Sequence, residues 1–271
     1  MSTLPNSVRL AWRNLRVNTD PGSLIIILGL PVMYLVFMGK MFVSIIPAFT
    51  IGGYLFTYAS YLPGGIIAFE AVMAGTMGGS MLWADRRFGM FSQILSGPFS
   101  RTQYLAGVIM ATVTASLAGS IILVGLSVLL GGAFHVSLVG LGLVLYSLII
   151  GGIFFCSLML FVAAKVDSNQ AYNSIQILII FVVSFVSDAY YPITSRTPLV
   201  LQIIALVNPL TYITDGIRSG LVSPAFALNI LNPHPIPGTN VPWEPIILLL
   251  ETMVIFLLAY RTYANVKLNM S

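Results

Sequence analysis

Charged side chains are scarce in this sequence, with 12 Lys or Arg and 8 Asp or Glu among 271 residues. A water-facing surface cannot be built from so few, since soluble domains carry about a quarter of their residues charged. Cysteine is scarcer still: Cys156 stands alone in an apolar run, so no internal disulfide can form. The two histidines, His135 and His234, fall far apart in expected outer loops, where an imidazole is ordinarily solvated. There is no G-x-x-x-x-G-K-[ST] run to cradle nucleotide phosphates, and no H-E-x-x-H or cysteine pair to hold zinc. Those absences argue against ATP hydrolysis within this chain and leave it with no expected catalytic residue, metal ligand or cofactor of its own.

What is there is apolar. Hydrophobic residues make up 58% of the chain and the mean hydropathy is +0.96. A membrane-spanning helix takes about 20 apolar residues, and six such segments emerge near 23–43, 58–84, 102–132, 138–164, 172–190 and 245–264. The expected fold class is an all-α membrane protein, a single membrane domain over residues 1–271. Nine basic residues (Arg9, Arg13, Arg16, Arg86, Arg87, Arg101, Lys165, Arg261 and Lys267) lie on one side of the segments and three (Lys40, Arg196, Arg218) on the other. Basic loops stay cytoplasmic, so both termini are expected inside a plasma membrane crossed several times, and the basic residues report orientation rather than nucleic-acid binding. Trp12, Trp83 and Trp243 fall at span ends, where an indole buries its ring and keeps its N–H near water.

Residues 7–17, "SVRLAWRNLRV", place Val8, Ala11, Trp12 and Leu15 on one helical arc and Arg9, Arg13 and Arg16 on another, which suits a helix lying in the headgroup plane. Gly107, Ala111, Ala115 and Gly119 recur at every fourth position of the third span, a stripe on which another helix can approach closely. Between the fifth and sixth spans, 198–207 and 210–222 are each helix-like but too short to cross, and Asn208–Pro209 breaks them apart. A re-entrant helical hairpin over 198–222 is expected, followed by a proline-rich outer loop.

Glu70 and Glu251 lie inside the second and sixth spans, where an ionised carboxylate costs about 2.5–3.5 kcal/mol on insertion scales. Either they face a cavity for a cationic or hydroxylated substrate, or one or both are protonated or hydrogen-bonded between helices as structural glue. Asp215 and Arg218, three apart on the hairpin, are expected to meet on one helical face and neutralise each other. The stretch "DRRFGMFSQILSGPFSR" (85–101) concentrates Asp85, Arg86, Arg87 and Arg101 between two apolar spans. As one helix over 85–97, it aligns Phe88, Phe91 and Leu95 on a greasy edge, which either lies on anionic lipid or fits a groove of a cytoplasmic partner that Gly89 lets come close.

In order and spacing, four places resemble the membrane subunit of ABC-2 type transporters, in the group of daunorubicin-exporter-type and polysaccharide or Nod-factor export permeases. They are "WRNLR" before the first span, "YLPGGIIAF" (61–69), the 85–101 stretch, and "YYPI" (190–193) followed by "NPLTYITDGIRSGL" (208–221). The resemblance implies that 85–101 docks on an ABC ATPase, with Phe88, Phe91 and Leu95 as the contact, Asp85, Arg86 and Arg87 as its charged rim, and ATP and Mg held on that partner. It implies two ATPase copies and a second permease, as homodimer or close paralogue, embedded in the lipid bilayer. It places the outer gate in the hairpin, through Asn208, Pro209, Tyr212, Asp215 and Arg218. Where many relatives have Ser-Gly after the fifth span this chain has Ser187-Asp188-Ala189, which puts a carboxylate, Asp188, at the expected outer mouth. The implied function is ATP-driven export by alternating access, and span composition points to a hydrophobic or amphipathic cargo, drug-like molecule, lipid or glycolipid. The rival is an ion-coupled secondary transporter or channel using Glu70 and Glu251.

Overall fold

A computed structural model describes residues 5–19, 21–51, 54–193, 197–222 and 244–265. Helix α1 (Asn6–Asn18) leads into α2 (Pro21–Val43), and a two-stranded antiparallel ribbon, β1 (Phe49–Ile51) and β2 (Tyr54–Phe56), precedes α3 (Tyr58–Arg87). A short α4 (Met90–Ser96) turns the chain into α5 (Arg101–Leu129), and α6 (Leu138–Lys165) and α7 (Asn169–Phe185) follow. The helices α8 (Leu199–Leu206), α9 (Pro209–Leu221) and α10 (Glu244–Ala264) complete the described chain. The ribbon was not anticipated, because three-residue strands leave almost no period in the sequence.

Five of these helices, α2, α3, α5, α6 and α10, are long and apolar enough to cross a membrane, and the α8–α9 pair, bent by 78°, passes the same test only when joined. The expected fifth span over 172–190 is shorter: α7 starts at Asn169 and stops at Phe185, 17 residues in all. It stops because Ser187 turns the chain, its hydroxyl donating to the Ser184 carbonyl at 2.8 Å and accepting from the Ala189 N–H at 3.2 Å. The proline-rich loop with His234, together with Trp243 and Lys267, lies outside the described residues.

Caps account for where the helices begin. Ser100 accepts from the Gln103 N–H while Gln103 accepts from the Ser100 N–H, a capping box that starts α5. Ser137 and Ser168 cap α6 and α7, and Asn208 caps α9 with Pro209 in its first turn.

Helix α3 is the hub, buried along almost its whole length and packed against α2, α5, α6 and α9. Its glycine run permits this, since side-chain carbons at Gly75 and Gly79 would run into Phe155 and Met159 of α6. In lipid, where apolar burial drives little, such close approach is a main source of helix association. Helix α9 is buried on every side, against α3, α6 and α10, although it is far too short to span.

Candidate functional site

Two clusters of ionised groups stand at opposite ends of α3. At its C-terminal end, Asp85 accepts a bidentate pair of hydrogen bonds from Arg13 of α1, at 2.7 and 3.1 Å, and a third from the Tyr104 hydroxyl at 2.7 Å. Burial works against the Arg13 charge, but the hydrogen bond and charge of Asp85, with Tyr104 behind it, outweigh that and leave its pKa raised. Arg86 is buried and donates to the Ala163 carbonyl at 2.6 Å and to Asp167 in the α6–α7 connection at 3.0 Å. Arg101 donates to the carbonyls of Tyr263 and Ala264, at the C-terminal end of α10, where a cation is favoured by the helix dipole. The α3–α4–α5 turn is therefore tied by three arginines to α1, to the α6–α7 connection and to α10.

This turn is not the continuous helix over 85–97 that the spacing suggests. Asp85, Arg86 and Arg87 belong to the last turn of α3, Phe88 ends it, and Gly89 takes a left-handed φ of 73° before α4 starts at Met90. The break resets the helical phase and sends the aromatic pair in opposite directions. Phe88 is 75% exposed, whereas Phe91 is fully buried, its ring edge-on to Tyr104 and Tyr263 at 5.3 and 5.8 Å between centroids, with the Arg101 guanidinium over it. Leu95 is half-buried. Of the expected docking edge, Phe88 projects outward beside exposed Arg87, while Asp85, Arg86 and Phe91 serve as internal fastenings.

Helix α1 lies along α5. Leu10, Ala11 and Asn14 form its buried face, and a Cβ at Gly107 would meet Leu10 and the Ser7 carbonyl. Trp12 is 58% exposed on the other side, whereas Trp83 is buried and stacked on Tyr172 because α3 continues past it. Ala111 is buried further along the α5 stripe, Ala115 packs against the core, and Gly119 faces Glu70.

At the N-terminal end of α3, Arg218 of α9 is wholly buried. It donates to Asp188 Oδ2 at 2.5 Å, to the Asp188 and Ala189 carbonyls at 3.0 and 3.2 Å, and to the Tyr61 carbonyl at 3.1 Å. Its guanidinium lies over the Tyr61 ring, 3.6 Å from the centroid. Tyr61 and Tyr58 in turn donate to the carbonyls of Asp188 and Tyr190, at 2.7 and 3.0 Å. The expectation that Arg218 would neutralise Asp215 on its own helix is overturned: the ion pair is with Asp188, thirty residues earlier. Asp215 is buried beside that pair, so one guanidinium has two acids in its surroundings. Asp188 does not stand open at a mouth in this structure; it is sealed under the α9 hairpin.

Asn208 holds the hairpin corner, donating to the Val183 carbonyl at 2.7 Å while its own oxygen accepts from the Leu210 N–H. The Tyr212 hydroxyl donates back to the Leu206 carbonyl. Asn208, Pro209, Tyr212, Asp215 and Arg218 are thus brought together with α3 and the 186–191 turn. Glu70 and Glu251 are not brought together. Glu70 faces Gly119 of α5, while Glu251 lies on α10, which packs on α6 and α9, in the neighbourhood of Tyr212. The partnership of Arg13 with Asp85 and the hydrogen bonds of Tyr61 and Tyr104 escaped the sequence reading, although in a chain so poor in charge an arginine on an amphipathic helix invites a search for its acid.

Residues 8–222 match the family model described as "ABC-2 type transporter". Over 208 residues the chain is 27% identical to a protein named "Putative transport permease ycf38" from Porphyra purpurea, an alignment that covers 75% of this chain and 69% of that one.

Proposed function

The chain belongs to the ABC-2 type transporter family, and from that premise we propose that it is the membrane subunit of an ATP-driven exporter, worked by a separate ABC ATPase through the α3–α4–α5 turn. It is a transport permease, and membership of the family implies association with an ABC ATPase. The observation that supports the coupling assignment is the triple tether: Arg13–Asp85, Arg86–Asp167 and Arg101 at the end of α10 join α1, α3, α5, α10 and the α6–α7 connection at one end of the bundle. A force applied at Phe88 and Arg87 is then passed into the bundle instead of being absorbed by a soft loop. In this reading the turn and both termini face the cytoplasm, in line with the bias of basic residues. Two permease copies with two ATPase chains pass from inward-open to outward-open as the ATPases close on ATP and Mg, and the α8–α9 hairpin is the outer gate. The cargo is hydrophobic or amphipathic.

The test is co-purification. The tagged permease is expected to retain an ABC ATPase, and proteoliposomes holding both are expected to move a lipophilic dye on addition of ATP. Dye movement that a protonophore abolishes and ATP depletion leaves alone would overturn this reading and favour the ion-coupled alternative through Glu70 and Glu251.

A further inference from the structure

Between α2, the end of α1 and the α3–α5 pair lies a cavity of about 110 Å³, walled mainly by apolar residues such as Leu24, Ile27, Met77, Ala118 and Ile122, with Asn18 and Thr19 also in its lining. Glu70 sits in that wall with no exposed surface. Among the described residues, no donor reaches either of its carboxyl oxygens and no ion pair includes it. Asp85, Asp167 and Asp188 each have an arginine, whereas the buried Asp215 and Glu244, like Glu70, are in no ion pair among the described residues; Glu70 differs in that neither of its carboxyl oxygens has a hydrogen-bond partner. An ionised carboxylate at this depth would need a counter-charge, and Glu70 has none among the described residues. Gly119 makes room for it, since a Cβ there would run into its Oε1. Leu24, Ala118 and Ile122 are also exposed on the outside of the bundle, so the cavity opens sideways between α2 and α5, toward lipid.

We propose that this cavity is a lateral binding site for an amphiphile with a protonated primary amine, whose ammonium donates to Glu70 and whose alkyl chain leaves between α2 and α5. An ammonium supplies both the missing charge and three donors, whereas a hydroxyl has one donor and no charge. In low-dielectric surroundings that difference is large, because the attraction between opposite charges is far stronger there than in water. The apolar wall accepts the first methylenes, and an anionic head is rejected by the acid. The assignment rests on the permease reading, for which it names the substrate class.

The experiment uses the permease with its co-purifying ATPase in lipid nanodiscs, without ATP, and compares binding of dodecylamine, dodecanol and dodecyl sulfate against empty nanodiscs. Native protein is expected to prefer the amine over the alcohol by about ten-fold or more. Glu70→Gln is expected to erase that preference and leave alcohol binding in place, and Ala118→Phe, which fills the mouth without removing the acid, is expected to weaken both. An amine preference that survives in Glu70→Gln, or its absence in native protein, overturns the proposal, as does unaltered amine binding in Ala118→Phe. Amine preference without ATP-driven efflux would sink the exporter reading and leave the site standing; efflux of other compounds without amine preference would sink the site alone.

Discussion

Arg218 of α9 and Asp188 of the turn after α7 form an ion pair at 2.5 Å with neither side chain touching solvent. Pairs of this kind are costly to break from one side, because the remaining charge stays buried without a partner. Arg218→Ala leaves Asp188 and Asp215 facing each other with no cation, and a loss of about 3–5 kcal/mol is expected in thermal or denaturant unfolding of the detergent-solubilised protein. Arg218→Lys keeps the charge but forfeits the forked bonds to the Asp188 and Ala189 carbonyls, so it should fall between native and alanine. In the double variant with Asp188→Ala the losses are expected to be less than additive.

The same junction depends on two glycines of α3. Gly64 lies against the Arg218 stem and Gly65 against the Ala189 carbonyl, so a methyl group at Gly65 has nowhere to go. Gly65→Ala should destabilise by about 1–3 kcal/mol, the usual range for overpacking. Gly125→Ala in α5 is the control, since nothing lies within 4 Å of the added carbon, and helix propensity then favours alanine by up to about 1 kcal/mol. Opposite shifts in melting temperature are the expected outcome.

Arg13 and Asp85 fasten α1 to the hub. Hydrogen bonds to charged groups contribute about 1.5–3 kcal/mol each, but Arg13 is part-exposed and solvent screens some of that. Asp85→Asn is expected to cost little in global stability and to raise amide hydrogen exchange across α1, which is held otherwise by Leu10, Ala11 and Asn14 against α5. Unchanged exchange in α1 would mean that packing alone seats it.

Much of this architecture was legible from apolar run lengths, and the hairpin corner from Asn208–Pro209, because proline cannot continue a helix and asparagine starts one. Partnerships between charges were not. The i, i+3 rule links Asp215 to Arg218, yet that rule describes a helix surface in water, and α9 has no such surface. Buried on all sides, its arginine finds the acid and carbonyls of a turn thirty residues upstream, a choice that no local period encodes. The error at 85–97 was one of phase. Treating Gly89 as an ordinary helical position put Phe91 on the same edge as Phe88, whereas a left-handed residue between them turns one outward and the other inward.

That phase break separates two effects that a double substitution would confound. Phe91→Ala removes a ring packed on Tyr104, Tyr263 and Arg101, and a loss of about 3–5 kcal/mol is expected, as for large aromatic truncations in a core. Phe88→Asp alters an exposed side chain and should stay within about 0.5 kcal/mol of native stability. If the turn is where the ATPase docks, Phe88→Asp should still sharply weaken retention of the ATPase and its stimulation by lipophilic compounds, because an exposed aromatic is the kind of anchor an interface centres on. Native unfolding with lost retention supports docking through Phe88. Native unfolding with native retention places the docking surface elsewhere, and then the tether of Arg13, Arg86 and Arg101 serves to hold these helix ends together and no more.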